Sequence, residues 1–417
     1  MSYFDINLDL GWEEKAIRES SHQFAAEVLR PASIEIDKLS AEEAIAEDSP
    51  FWDALAQCYK LGYHKAMLPT KIGGGGLTPV QGHILLEELM WGSIGITGVM
   101  FLSTWMFATL LGTGDDKLIE EFVMPFINCD DGSVTGCYAV TEPDHGSDLL
   151  GQGEPFYNDP KIRGQVRAVK DGNHWVINGQ KAAWVSGGPM ATHCKIVVHI
   201  DQSRGLAGSG YCFLPLNLPG VTRGKPLEKI GQRDLPQGEL FFDNVRIPEH
   251  QMFTSLESYP QCFLNSLGHG NSGLSIIALS VARAAFEESF AYAKQRIQGG
   301  KPLAEQYAMK VRLHKMFSKV EAIRAMSRAV WKLNSSLPQP LPEYAFAAKT
   351  FCTDTAVELA HEAVQIHGAA GLAKEYYVEK LYRDARPLSI EDGENNNLNR
   401  SGGSILNDTW PRPNQVS

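Results

Sequence analysis

Apolar residues recur at helical spacing through the first part of the chain, in Ile17, Phe24, Ala25, Val28 and Leu29 and again in Phe51, Leu55, Cys58, Leu61 and Tyr63. This spacing predicts helices from about Trp12 to Phe126. The glycine-rich stretch KIGGGGLTP interrupts them. No Lys-Ser/Thr pair follows its glycines, so a flexible connector is expected there rather than a phosphate loop. Near Ser133 the texture changes. Short β-branched and aromatic runs (HWVIN, KIVVHI, YCFLPL, ELFFDNVRI) follow one another to about Ile247, separated by turn residues such as KDGN and LNLPG. Within this region GQGEPFYNDPKIRGQ, residues 151–165, reads as a long polar loop. After Pro248 the helical spacing returns. Leu274, Ile277, Ala278, Val281, Ala285 and Ala291 form one stripe on a helix expected to end near Gln298. Helices from about Leu303 to Leu333 and from Tyr344 to His367 follow, separated by SSLPQPLPE. The pattern predicts an α+β chain of three domains: helical over 1–130, a β-barrel or sandwich over 131–248, and a helical bundle over 249–417.

Length agrees with this division, because 417 residues exceed what one hydrophobic core usually serves. The hydrophobic fraction of 43% and charged fraction of 21% are those of a globular chain. A formal net charge of −11 argues against a nucleic-acid surface, which needs clustered Lys and Arg. The seven cysteines are scattered and form no CxxC pair, as expected of reduced thiols in a cytoplasmic protein with no disulfide framework and no metal site. The acidic start lacks a basic segment followed by an apolar run, so no signal peptide is expected. No stretch approaches about 20 uninterrupted apolar residues, so no membrane-spanning helix is expected.

Four segments then stand out in order: CYAVTEPDHGSD (137–148), INGQKAAWVSGG (177–188), IGQRDLPQGELFFDNVRIP (230–248), and the C-terminal set YAKQRIQGGKPL (292–303), AVQIHGAAGL (363–372) and LYRDARPLSIEDG (381–393). Together they resemble the acyl-CoA dehydrogenase family over nearly the whole chain. The resemblance implies a four-helix bundle for the C-terminal domain, an FAD cofactor, an acyl-CoA substrate, an electron-transfer flavoprotein as acceptor, and a homotetramer built as a dimer of dimers. A flavin needs backbone donors for its ring and a planar wall against one face. By resemblance, Tyr138, Val140 and Thr141 pass along the ring and Trp184, Val185 and Ser186 lie against it, with Trp184 one residue further from its lysine than the family pattern has it. Gly146 and Ser147 suit a pyrophosphate, and Ser147 also reaches substrate. Arg296 and Gln298 match positions that reach the FAD phosphates of a neighbouring subunit, and Gln365, Gly368 and Ala369 match the segment holding the adenosine half.

The base is where the chain departs from the pattern. Counting from Arg383-Asp384-Ala385, the family's glutamate slot is Asp392, preceded by Glu391 and followed by Gly393. An aspartate does the same chemistry with a carboxylate about 1.5 Å nearer its own backbone. The other position used for a base in the family matches Gly270, which cannot serve. Asn271 stands where an arginine touching CoA is common, beside His269. The acyl pocket is expected from Met100, Phe101 and Trp105 together with Trp184 and Glu391, whose bulk and polarity point to a short, cyclic or polar acyl group. An aspartate in this slot also occurs in nitroalkane oxidases of the same fold, which is the main alternative. A degenerate scaffold protein would lack the flavin.

Overall fold

The computed structural model describes Ile6 and residues 10–410. The expectation of no signal peptide therefore rests largely on residues outside the described ones. Helices come first: α1 (Trp12–Phe24), α2 (Arg30–Ile36), α3 (Pro50–Lys60), α4 (Pro79–Gly92), α5 (Ile94–Leu111) and the short α6 (Asp116–Leu118) and α7 (Met124–Asn128). A seven-stranded sheet follows, made of β1 (Gly136–Ala139), β2 (Arg167–Asp171), β3 (His174–Ser186), β4 (His193–His199), β5 (Ser209–Pro215), β6 (Val221–Arg223) and β7 (Gln237–Pro248). Then come α8 (Tyr259–Gln295), the strand pair β8 (Ile297–Gln298) and β9 (Lys301–Pro302), α9 (Tyr307–Ser336), α10 (Pro342–His367), α11 (Tyr377–Leu388) and α12 (Asn395–Thr409). The helical, β, helical order is the expected one.

Two compact units form, and they do not follow chain order. One gathers the described residues up to Gln23, then Pro79–Trp91 and Leu264 onward; the other takes Phe24–Thr78 and Gly92–Phe263. In the first, α4 is drawn in by charge. Glu87 on α4 lies 3.3 Å from Arg283, 3.0 Å from Arg324 and 3.3 Å from Arg328, all of them buried. Desolvation pushes its pKa up, but the three guanidinium groups outweigh that and hold it ionised. Trp91 adds an indole N–H to Glu287 at 2.7 Å.

In the second unit the sheet runs β1-β4-β2-β3-β7-β6, with β5 on the other side of β4. β4 is buried along nearly its whole length, as expected of a strand covered on both faces. Cys137, Ile177, Ile196, Leu214, Leu240 and Ile247 belong to its core. Against it lies α5, whose N-terminus is capped by Ser93, accepting from Ile96 N at 3.0 Å. Ser103 on this helix accepts from Gly136 N at 2.9 Å, which fixes the start of β1.

One expectation is qualified and three need correction. Helix α5, 18 residues without a formal charge, is long and apolar enough to cross a membrane by length and composition; 61% of it is buried within the protein, and its apolar character serves the core. The glycine stretch is not a flexible connector. Gly74, Gly75 and Gly76 donate to the carbonyls of Pro69, Lys65 and Leu68, and a Cβ at Gly74 would lie 2.2 Å from Leu68 O. Glycine is required there because two backbones touch. Helix α8 ends at Gln295, short of Gln298, because Gly299 and Gly300 both take positive φ (61° and 80°) and turn a two-residue hairpin that claims Ile297 and Gln298 as a strand. The segment 151–165 is less open than a polar loop, since Pro155–Asn158 makes a 3₁₀ turn that buries Tyr157.

Candidate functional site

In the sheet unit, two of the motif segments lie side by side. Ala182 N donates to Thr141 O at 2.9 Å, so the residues after β1 run beside the middle of β3. Lys181 locks the arrangement. Its ammonium donates to Val140 O at 2.9 Å and to Glu142 Oε1 at 2.7 Å. Glu142 in turn accepts from Val166 N at 3.1 Å and from Gln165 N. Beyond Lys181 the register of β3 against β7 shifts before Val185. This irregularity leaves Val185 buried and turns Trp184 outward, 60% exposed. Ser186 is held by Gln237 Nε2 at 3.0 Å.

The turn that follows Thr141 is closed by its own side chains. Glu142 and His145 exchange backbone hydrogen bonds at 2.9 and 3.2 Å. Asp148 accepts from Gly146 N at 2.7 Å and lies 2.7 Å from His145 Nδ1, and Arg163 O is 3.0 Å from Nε2. Desolvation opposes protonation of His145, yet these contacts outweigh it and its pKa is raised. Gly146 is exposed and a Cβ there would meet nothing within 4 Å, so room for a ligand remains beside this turn and beside Ser147, which is half-buried.

Tyr138 faces an aromatic cluster. Its hydroxyl pairs with that of Tyr211, and the edge of Trp105 lies 5.6 Å from its ring. Lys195 sits wholly buried in this cluster, 4.3 Å from the Tyr211 ring and 4.9 Å from that of Tyr138. Burial lowers its pKa to about 7, and Cys262 offsets part of that. Of the residues expected to line an acyl pocket, Phe101 and Trp105 are half-buried, while Met100 is 1% exposed and packs in the core.

The helical unit carries the carboxylates. Arg383 pairs with Glu379 through Nε at 2.7 Å, and Asp384 with Lys380 at 2.6 Å, which anchors α11 just before the turn. Ile390 and Glu391 donate to Pro387 O at 2.8 and 3.0 Å. Asp392 then adopts φ 52°, left-handed for a residue with a side chain, and Gly393 follows at φ 107°. Asn271 on α8 donates to Asp392 O at 3.3 Å; Lys349 on α10 donates to Gly393 O at 2.7 Å and to Asn395 Oδ1 at 2.8 Å. Asp392 keeps an exposed face, while desolvation by its surroundings raises its carboxyl pKa and Lys349 opposes the rise. The direction is that of a stronger base. Glu391 is half-buried beside it. His269 is half-buried and Asn271 wholly buried.

Arg296, Gln298, Gln365, Gly368 and Ala369 are all exposed in the single chain. Gly368 has φ 63°, and a Cβ there meets nothing within 4 Å. The residues present therefore fit a flavin nucleotide: an outward-facing indole beside a run of backbone groups, a glycine turn with open space, and exposed polar groups on the helical unit. Four buried lysines, 181, 195, 349 and 380, went unmarked in the sequence. Lys181 alone had a signal, since it lies in one motif and its partner Glu142 in another.

Three family profiles match in chain order: acyl-CoA dehydrogenase N-terminal domain over 12–130, middle domain over 137–245 and C-terminal domain over 261–401. Cyclohex-1-ene-1-carbonyl-CoA dehydrogenase of Syntrophus aciditrophicus is 28% identical over 394 residues, covering 94% of this chain and 89% of the relative. The caffeyl-CoA reductase-Etf complex subunit CarC of Acetobacterium woodii is 27% identical over 383 residues, covering 91% and 94%. The solved structure of butyryl-CoA dehydrogenase from Megasphaera elsdenii superimposes with a TM-score of 0.85 at 25% identity, covering 96% of this chain and all of the other. The chain belongs to the acyl-CoA dehydrogenase family, oxidoreductases that are FAD-dependent flavoproteins.

Proposed function

We propose that the protein oxidises a short, cyclic or polar acyl-CoA thioester to the enoyl-CoA, with Asp392 as the base that removes the α-proton. The observation that carries this reading is the turn at Asp392: a carboxylate of raised pKa on a residue with an exposed face, directly before a glycine and in the frame of Arg383-Asp384-Ala385. A carboxylate abstracts such a proton when the thioester carbonyl is hydrogen-bonded so that the developing enolate is stabilised. Gly393, at φ 107°, lets the backbone turn sharply enough to offer an N–H for that purpose. Bound FAD supplies the two-electron acceptor for the β-hydrogen, which leaves as hydride.

Tyr138, Val140, Thr141 and Trp184 to Ser186 are the groups proposed to hold the ring, with Gly146 and Ser147 at the pyrophosphate. Phe101, Trp105 and Glu391 are proposed to limit the acyl group, with Met100 as backing, and His269 and Asn271 to lie toward the CoA side. Electron-transfer flavoprotein is the proposed acceptor, supported by the relative whose name places it in an Etf complex. The exposed Arg296, Gln298, Gln365, Gly368 and Ala369 are proposed to complete FAD sites across a homotetramer. The aspartate favours one second reading, direct oxidation of a nitroalkane by oxygen. An anaerobic panel of CoA thioesters and nitroethane tests both, by which compound bleaches the flavin band. Bleaching by nitroethane with no response to any thioester overturns the first reading.

A further inference from the structure

The turn that bears Asp392 is held from two helices by hydrogen bonds to consecutive carbonyls. Asn271 on α8 takes Asp392 O, and Lys349 on α10 takes Gly393 O. Lys349 is wholly buried, and its second bond goes to Asn395, the first residue of α12. The Asn395 amide is itself fixed, donating to Thr353 Oγ1 at 3.0 Å and to Asp354 Oδ1 at 2.8 Å. A buried ammonium is costly unless hydrogen bonds and opposite charge offset it. Here both acceptors lie on or directly after the base turn.

Resting on the assignment of Asp392 as base, we propose that Lys349 is its positioning residue, pinning the Asp392-Gly393 turn to α10 and placing an ammonium beside that turn. That pin helps to hold the unfavourable left-handed backbone of Asp392 from the α10 side. The charge balance around the ammonium supports this. Burial lowers the Lys349 pKa to about 8, and Asp392, Glu391, Asp354 and Glu394 all oppose the fall, Asp392 most. Reciprocally, Lys349 draws the Asp392 pKa down against desolvation. The lysine thus favours the ionised form of the carboxylate while desolvation opposes it.

The test is the rate of anaerobic flavin reduction by a saturating thioester as a function of pH, in FAD-loaded protein. For Lys349→Met the midpoint of the rising limb should move up by about one pH unit, the low end for loss of a neighbouring opposite charge. The rate above the midpoint should also fall, by on the order of tenfold or more for a misplaced base. Lys349→Gln keeps an N–H donor without the charge, so its midpoint should move alike while its plateau suffers less; it also serves where the methionine variant does not fold. Lys349→Arg should hold the midpoint near the wild-type value. In an Asp392→Asn background, Lys349→Met should cost the residual rate nothing further. A purely structural lysine would lower Tm and FAD content, leave the midpoint in place, and multiply the loss in the double variant, which overturns the positioning role. Wild-type reduction by Asp392→Asn alone is a different failure, that of the base assignment itself.

Discussion

Lys181 and Glu142 form an ion pair almost closed to solvent, Nζ to Oε1 2.7 Å, with the lysine 0% and the glutamate 5% exposed. The same ammonium holds Val140 O, so one side chain secures both the charge and the backbone expected to face the flavin. Lys181→Met leaves Glu142 charged and buried, which typically costs about 3–5 kcal/mol. Thermal unfolding should show a large drop in Tm, and FAD should bind more weakly. Adding Glu142→Gln to that variant should recover part of the stability, because the stranded charge is gone. Equal Tm values for wild type and Lys181→Met would contradict this account.

The proposed place of Trp184 against the flavin can be tested apart from folding. It is 60% exposed, while the neighbouring Val185 is buried. Purified protein should be yellow with about one non-covalent FAD per chain, and Trp184→Ala should weaken FAD binding while leaving the Tm of the flavin-free protein nearly unchanged. Titration with FAD by fluorescence quenching reads the first effect. Undiminished affinity in the alanine variant removes Trp184 from the ring site.

The order of elements was legible because periodicity is a local property: the stripe through Leu274, Ile277 and Val281 and the β-branched runs before Ile247 each declare their own structure. Where two local signals compete, only the folded chain decides. The stripe that reaches Ala291 predicts a longer α8, and the hairpin demanded by Gly299-Gly300 ends it at Gln295. The carboxylates proposed for the base, Glu391 and Asp392, were picked out by counting from Arg383. Lys349, forty-four residues before Gly393, was not, since its contact depends on where a distant carbonyl comes to rest. Lys195 stands beside the apolar run 196–198 of β4, and its three aromatic neighbours come from separate elements.

His64 predicts a pH dependence of stability. It is buried, stacks on Tyr59 at 4.2 Å and meets the edge of Phe126 at 5.3 Å, and neither ring nitrogen makes a well-formed hydrogen bond. Desolvation, aided by Lys65, lowers its pKa from 6.5 to about 4. Between those values the unfolded chain binds a proton that the folded one does not, so its contribution is intact above 6.5 and is lost as pH falls toward 4. His64→Phe keeps the ring contacts and removes the titration. Its Tm should gain on wild type as pH drops from 7.5 to 5. His193 and His199, also lowered to about 4, leave a residual slope in the variant. Parallel Tm profiles for the two proteins would dismiss the idea.

Arg296 tests the proposed assembly. It is exposed at the end of α8, immediately before the β8–β9 hairpin. If it reaches the FAD phosphates of a neighbouring subunit, Arg296→Ala removes a charge-assisted contact of about 1.5–3 kcal/mol. FAD affinity should fall roughly ten- to a hundredfold, without a comparable loss in the Tm of the flavin-free protein. Light scattering of the wild type should report a tetramer. A monomer that retains FAD is incompatible with the proposal.

The assignment of the base divides Asp392 from Glu391. Asp392 lies in the frame set by Arg383-Asp384-Ala385 and Gly393, and its own φ of 52° points the backbone differently from that of Glu391. Asp392→Asn preserves size and shape but removes the basic charge, so FAD should remain bound while flavin reduction by the thioester falls at least ~10²-fold. Glu391→Gln should instead change which acyl groups are accepted. Asp392→Glu extends the carboxylate by about 1.5 Å, the reach usual in the family, and should shift preference toward straight-chain thioesters if distance to the α-carbon sets the present specificity. The pH dependence has a definite sign: desolvation raises the Asp392 pKa, so the rate should climb with pH through a midpoint above the ordinary aspartate value. A wild-type rate in Asp392→Asn alongside an inactive Glu391→Gln would reverse the two roles. In that case the frame counted from Arg383 no longer identifies the base.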